Sequence, residues 1–184
     1  MDTLLVLLRG INVGGNRLIS MADLRNAFAG MGYVDPVTYI QSGNVIVGSR
    51  RPKSGRTTST IERRLSEVFG YEARVVVRDA GELDRIVRGI PKTWDPADTS
   101  MRHNVLFLTD RVRAEEVVDP ATLVAGIEAL KVGDHVLYWS APLRTLTRTT
   151  MVKLSSRPVY REMTVRNLRT TLRLFDLMRE HSTA

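Results

Sequence analysis

Apolar positions open the chain. Leu4–Leu8 is an uninterrupted apolar run, and Thr3–Leu8 reads as a buried strand. A glycine-rich loop follows. Ser20 stands where it can cap a helix over Met21–Met31, with Asp23 three residues on as its capping-box partner. Met21, Leu24, Ala27, Phe28 and Met31 recur at helical spacing, and Gly32 ends the pattern. Val37–Gln41 and Val45–Gly48 read as strands joined by Ser42-Gly43-Asn44, a hairpin signal. The stretch Ser49–Ser59 carries Pro52 and Gly55 and reads as a polar, basic loop. Thr60–Phe69 is amphipathic and helical in pattern, and Ala73–Arg78 is a β-branched strand.

The order β-α-β-β-α-β within the first 78 residues is that of the ferredoxin-like split βαβ unit. Its helices would cover one face of an antiparallel sheet and leave the other free for a partner. A looser second copy follows. Asp79 can cap a helix reaching Arg88, and Ile90–Ser100, with Pro91 and Pro96, reads as a linker. Asn104–Thr109 suits a strand, Pro120–Leu130 a helix, and Lys131–Gly133 with Val136–Ala141 a hairpin. Leu143–Ser155 suits a helix, Val159–Thr164 a strand, and Val165–Arg179 a final amphipathic helix. No residue-level repeat is evident between the halves. The expected fold is α+β, with two ferredoxin-like (split βαβ) subdomains over residues 1–92 and 93–184. Their sheets are mainly antiparallel, with helices on one face.

Composition narrows the chemistry. The 184 residues contain no cysteine, which removes disulfides, thiolate nucleophiles and cysteine-held metal sites. No apolar run approaches the roughly 20 residues of a membrane helix. A soluble cytoplasmic protein with no membrane partner is the expectation, and neither metal nor cofactor is indicated. The net charge is +7 from 27 Lys and Arg against 20 Asp and Glu. It is uneven. Residues 1–92 hold 14 basic and 9 acidic side chains, residues 93–135 hold 4 and 8, and residues 136–184 hold 9 and 3. One basic cluster joins Arg50, Arg51, Lys53, Arg56, Arg63 and Arg64; a second runs from Arg144 to Arg173. Arginine offers a planar fork that holds phosphate or carboxylate at two points.

Three motifs carry candidate chemistry. Arg9-Gly10-Ile11-Asn12-Val13-Gly14-Gly15-Asn16-Arg17 lies between a strand and a helix, where backbone N–H groups can cradle an anion. Gly10 and Gly15 have the spacing of a phosphate-binding P-loop. Asn16 and Arg17 stand where Lys and Ser/Thr are needed, so a nucleoside triphosphatase of that kind is excluded. Tyr39-Ile40-Gln41-Ser42-Gly43-Asn44 places Tyr39 and Gln41 on one strand face and gathers Gln41, Ser42 and Asn44 at the hairpin tip. No nucleophile elbow surrounds Ser42. In Thr164-Val165-Arg166-Asn167-Leu168-Arg169, Thr164 can cap the last helix, setting Arg166, Arg169 and Arg173 along one stripe. His103 and His135 read as surface or turn residues, and Trp94 and Trp139 as packing.

Together these motifs resemble the signature stretches of the bacterial family called domain of unknown function 1697. The resemblance implies a cytoplasmic protein of this size with α+β structure in two subdomains. It implies no activity and no catalytic residues. The chain departs from the family pattern at Leu168, where an aromatic residue is usual, and in Ala141–Lys153, which lacks glycine.

The leading expectation is therefore a binder of nucleic acid or a phosphorylated molecule. Its ligand groups would be Arg9, Gly10, Asn12, Gly14, Gly15, Asn16, Arg17, Gln41, Ser42, Asn44, Arg166, Asn167 and Arg169. A small-molecule enzyme working through Asn, Gln, Ser and Arg is an alternative. So is an interaction module that uses a free sheet face to form a homodimer.

Overall fold

A computed structural model describes residues 1–11, 19–119 and 122–183. The chain divides into two compact units. The first comprises residues 1–84 with 173–184, and the second residues 85–172. The expected partition was 1–92 and 93–184.

The first unit holds β1 (Asp2–Leu8), α1 (Met21–Gly30), β2 (Val34–Tyr39), β3 (Asn44–Ser49), α2 (Thr57–Phe69) and β4 (Val75–Asp79). Its strands pair antiparallel in the order β2-β3-β1-β4. Ser20 caps α1 by accepting the Asp23 N–H at 3.0 Å. Leu24 and Phe28 of α1 pack with Ile61 and Leu65 of α2 on the face formed by Leu4, Val6, Leu8, Val45, Val47, Val75 and Val77. Alternation sends Leu5, Leu7, Ile46 and Val76 to the opposite face. They are buried there too. The face expected to be free is therefore covered in the first unit.

The second unit repeats the plan. α3 (Ala80–Arg88) spans the division between units and leads to β5 (Met101–Leu108), α4 (Ala114–Val117), β6 (Ala129–Gly133), β7 (Val136–Pro142), α5 (Thr150–Leu154) and β8 (Met163–Asn167); α6 (Leu168–Thr183) spans the division again, its residues from Arg173 on belonging to the first unit. The antiparallel order is β6-β7-β5-β8, the first sheet's order shifted by four. Leu106, Leu108, Leu137, Trp139 and Met163 form one face, which packs against Val117 and Leu154.

Four sequence expectations fail here. Helix Pro120–Leu130 does not form over its described part. Gly126 takes φ +71°, and Ala129 and Leu130 pair instead with Ser140 and Trp139. Glu128 ties that turn down, accepting the Trp139 indole N–H at 2.7 Å and the Val124 N–H at 3.0 Å. Helix Leu143–Ser155 breaks at Thr149 (ψ 159°) into a 3-10 helix and α5. The strand expected over Val159–Thr164 is a 3-10 helix over Pro158–Glu162, and β8 starts only at Met163. The last helix starts at Leu168, because Asn167 and not Thr164 caps it: the Asn167 Oδ1 accepts the Thr170 N–H at 2.8 Å.

That last shift exposes a residue-level repeat. Val77-Arg78-Asp79 ends β4 and Val165-Arg166-Asn167 ends β8. In both, the valine joins the helix-covered face and the arginine is buried on the other face. The third residue caps the next helix, Asp79 by accepting the Glu82 N–H at 2.8 Å. Each guanidinium donates back to its own valine carbonyl, at 2.9 Å for Arg78 and 2.8 Å for Arg166.

Asn167→Ala is expected to lower stability by about 1 kcal/mol in urea unfolding, whereas Asn167→Asp, which keeps the acceptor, stays near the parent.

Candidate functional site

The hairpin tip and the start of the glycine-rich loop form one knot. The Leu8 N–H donates to the Gly43 carbonyl at 2.7 Å, and the Arg9 N–H to the Arg74 carbonyl at 2.9 Å. Gly43 takes φ +70°, and a Cβ there would lie 2.7 Å from Leu8 Cβ and 2.9 Å from Ile11 Cδ1. Asn44 is fully buried; its amide donates to the Tyr39 carbonyl at 2.9 Å and to Ser42 Oγ at 2.8 Å. Asn44 and Ser42 thus fasten a turn of four residues, Ile40 to Gly43. Gln41 lies in that turn, exposed, and shares no strand face with Tyr39, contrary to the expectation. Arg9 and Gly10 lie on the same knot, Gly10 at φ +66°. Asn12, Gly14, Gly15, Asn16 and Arg17 lie outside the described residues.

The third motif lies in the second unit, and its expected arginine stripe does not exist. Arg166 is a strand residue, 8% exposed. It donates to Thr164 Oγ1 at 2.7 Å, and burial pushes its pKa down to about 10. A guanidinium enclosed in this way does not face an external anion. Asn167 is spent as a helix cap, and Arg169 is exposed, its Nε donating to the Pro96 carbonyl.

Asn167 and Arg169 do line a cavity of about 230 Å³ with Asp95, Asp98, Arg102 and His103. The sequence reading missed it, because residues 90–100 look like a linker and His103 like a surface group. His103 is 9% exposed, and its ring stacks on Trp94 with centroids 4.6 Å apart. Its Nδ1 has no hydrogen-bond partner among the described residues. Burial lowers the His103 pKa below 6.5, against the opposing pull of Asp98 and Asp95. The one available signal was Trp94 followed by Asp95, Asp98 and His103 within ten residues.

The first basic cluster resolves into spent and unspent charges. Lys53 pairs with Glu82, and Arg63 and Arg64 share Glu67 at 2.8 and 3.1 Å. Arg50, Arg51 and Arg56 are exposed, and their guanidiniums make no ion pair among the described residues. All three line a groove of about 600 Å³ that also takes in Tyr33, Ser54 and Thr57. α2 begins at this groove, with no side-chain cap on Arg56. The Thr57 N–H is taken by the Ser54 carbonyl at 3.0 Å, and the positive dipole end of the helix adds to the arginine charge. Within the second cluster, Arg157 donates to the Val117 carbonyl and Arg173 pairs with Glu180. Among the described residues no group of three or more His, Asp or Glu is placed to hold a metal ion. No helix there is long and apolar enough to cross a membrane.

The family model described as Protein of unknown function (DUF1697) matches residues 1–138. The chain belongs to this family. The DUF1697 match covers the knot at Gly43 and the arginine groove, and ends before the Arg166-Asn167 motif. A similar solved structure is that of conserved bacterial protein SP0830 from Streptococcus pneumoniae. Its TM-score is 0.82 at 24% identity, over 96% of this chain and 98% of that one. At that identity the likeness bears on the fold. No curated protein matches the chain.

Gly43→Ala combines a left-handed φ with a clash and is expected to cost at least about 2 kcal/mol in urea unfolding. Gly10→Ala meets open space and is expected to cost about 1 kcal/mol.

His103 gives a pH signature. The unfolded imidazole ionises near 6.5 and the folded one only below that, so stability is full above 6.5 and falls as pH drops through it. Urea midpoints at about pH 7.5 and about pH 5.5 should differ in the parent chain, and differ less in His103→Gln.

Proposed function

We propose that the chain binds a phosphorylated ligand at the groove of the first unit lined by Arg50, Arg51 and Arg56. The observation that carries this reading is the set of three exposed guanidiniums that make no ion pair among the described residues, gathered where α2 begins. Each offers two donors to a phosphate, and the positive dipole end of α2 favours negative charge at the same place. The hydroxyls of Ser54, Thr57 and Thr60 line the groove and add neutral donors. The sequence reading placed its ligand site at the glycine-rich loop, the hairpin tip and the last helix. Charge accounting moves the weight to the basic loop after β3.

The sheet order supports the ferredoxin-like assignment of each unit. β3 separates β1 from β2, and β1 separates β3 from β4, as a split βαβ pair requires. In that plan the loop after β3 and the start of α2 stand at one sheet end, where a ligand can approach backbone and side chains together.

Inorganic pyrophosphate and mixed-sequence single-stranded RNA are the probes, titrated at about 50 mM and about 200 mM salt. At least one is expected to bind at the lower salt and to weaken at the higher. Replacing Arg50, Arg51 and Arg56 together by Gln should weaken binding at least about tenfold. For the RNA it should also lower the salt slope by about 2. The matched control replaces Arg144, Arg148 and Arg161, which removes equal charge elsewhere. Equal losses in the two triple variants, or no binding by either probe, would refute the site.

A further inference from the structure

Beyond the arginine groove, the helical side of the first unit carries a second cavity. It is about 500 Å³, and Asp23, Asn26, Met31, Arg64, Val68 and Phe69 are among the residues that line it. Met31 lines both cavities. α2 connects them as well: Thr57 and Thr60 line the first, Arg64 and Val68 the second. Steps of three, four and four residues put these four side chains on one face of the helix. At 1.5 Å per residue the stripe from Thr57 to Val68 is roughly 16 Å long.

The charges along this track are lopsided. Unspent cations crowd the Thr57 end. At the Val68 end Arg64 is held by Glu67 at 3.1 Å, and Asp23 adds a carboxylate. A long polyanion would need cations along its whole path and would meet Asp23 and Glu67 halfway. The other end is instead apolar and amide-bearing. Val68 is 61% exposed, an uncovered apolar surface beside Met31 and Phe69, and Asn26 and Asp23 supply hydrogen-bonding edges. The arrangement suits a ligand with a charged head and a flat, largely neutral tail.

Resting on the anion-binding reading above, we infer that the ligand is a nucleoside phosphate, its phosphates on Arg50, Arg51 and Arg56 and its base in the Met31–Val68 cavity. The Asn26 amide can donate and accept at once, and the Asp23 carboxylate can accept from an exocyclic amine. Base contact with Met31, Val68 and Phe69 adds apolar burial that an inorganic phosphate chain cannot supply.

The test compares four probes by calorimetric titration at one ionic strength: inorganic tripolyphosphate, the four ribonucleoside triphosphates, a nucleoside, and single-stranded oligonucleotides of increasing length. At least one nucleoside triphosphate should bind about tenfold or more tighter than tripolyphosphate. Two exposed, uncharged changes, Val68→Ser and Asn26→Ala, should bring that affinity down to the tripolyphosphate level and leave tripolyphosphate itself unaffected. Equal affinity for tripolyphosphate and every nucleoside triphosphate overturns the inference and leaves the anion site standing. Affinity that climbs with each added nucleotide also overturns it, in favour of a polyanion. Absence of binding by all phosphate-bearing probes removes the anion reading and this inference with it.

Discussion

Leu4 to Leu8 fill the centre of the first sheet, and none of the five is more than 1% exposed. Val105 to Leu108 do the same in the second sheet. A strand closed to water on both faces has no place for an unsatisfied polar group. The two buried arginines of the adjoining strands β4 and β8, Arg78 and Arg166, turn back on carbonyls of their own strands. Burying a charge in this way is tolerated only with such partners. The consequence reaches the surface. Polar chemistry is driven off the sheets and onto the loops at their ends, where the arginine groove and the His103 cavity both lie.

The elements that were readable in the sequence are those whose pattern needs no partner. The run Leu4–Leu8, the cap at Ser20 and the cap at Asp79 carry their own local reasons, and all three stand in the structure. Elements decided by a neighbour were not readable. Ala129–Gly133 has a composition that fits helix or strand. β7 settles it, together with the left-handed Gly126 and the carboxylate of Glu128. Leu143–Ser155 has helical spacing, yet Thr149 leaves the helical region. Periodicity reports a face; it does not report what lies against that face.

The candidate site was readable only in part, for a related reason. Arginines counted along a sequence are indistinguishable, and only structure separates spent charges from free ones. Arg166 looked like the centre of a binding stripe and is instead a buried strand residue. Arg63 and Arg64 look like part of the first cluster and are half offset by the one carboxylate of Glu67, which they share. Exposed pairs of this kind add little stability, but they do cancel the field that an anion would meet. Within the first cluster three arginines survive the cancellation among the described residues, and they line one groove. The hairpin-tip residues Ser42 and Asn44 looked chemical because their polarity is dense, and that polarity is consumed in fastening the turn beneath Leu8 and Ile11.

The two units share a strand order and the Val-Arg-Asx ending, yet they differ where binding is proposed. In the first unit the segment after the third strand of the sheet, from Arg50 to Arg56, stays non-helical and opens a groove before a helix of thirteen residues. In the second unit the segment after β7 coils into a 3-10 helix over Leu143–Arg148, and the following α5 has five residues. A helix that short gathers little dipole, since the effect sums over aligned peptides. Arg144 and Arg148 therefore lack the helix end that would join them to an anion. The same topology thus holds the proposed binding position in one copy and a structural connection in the other. What separates them is the length of the helix and the non-helical course of the loop before it, not the number of arginines each segment contains.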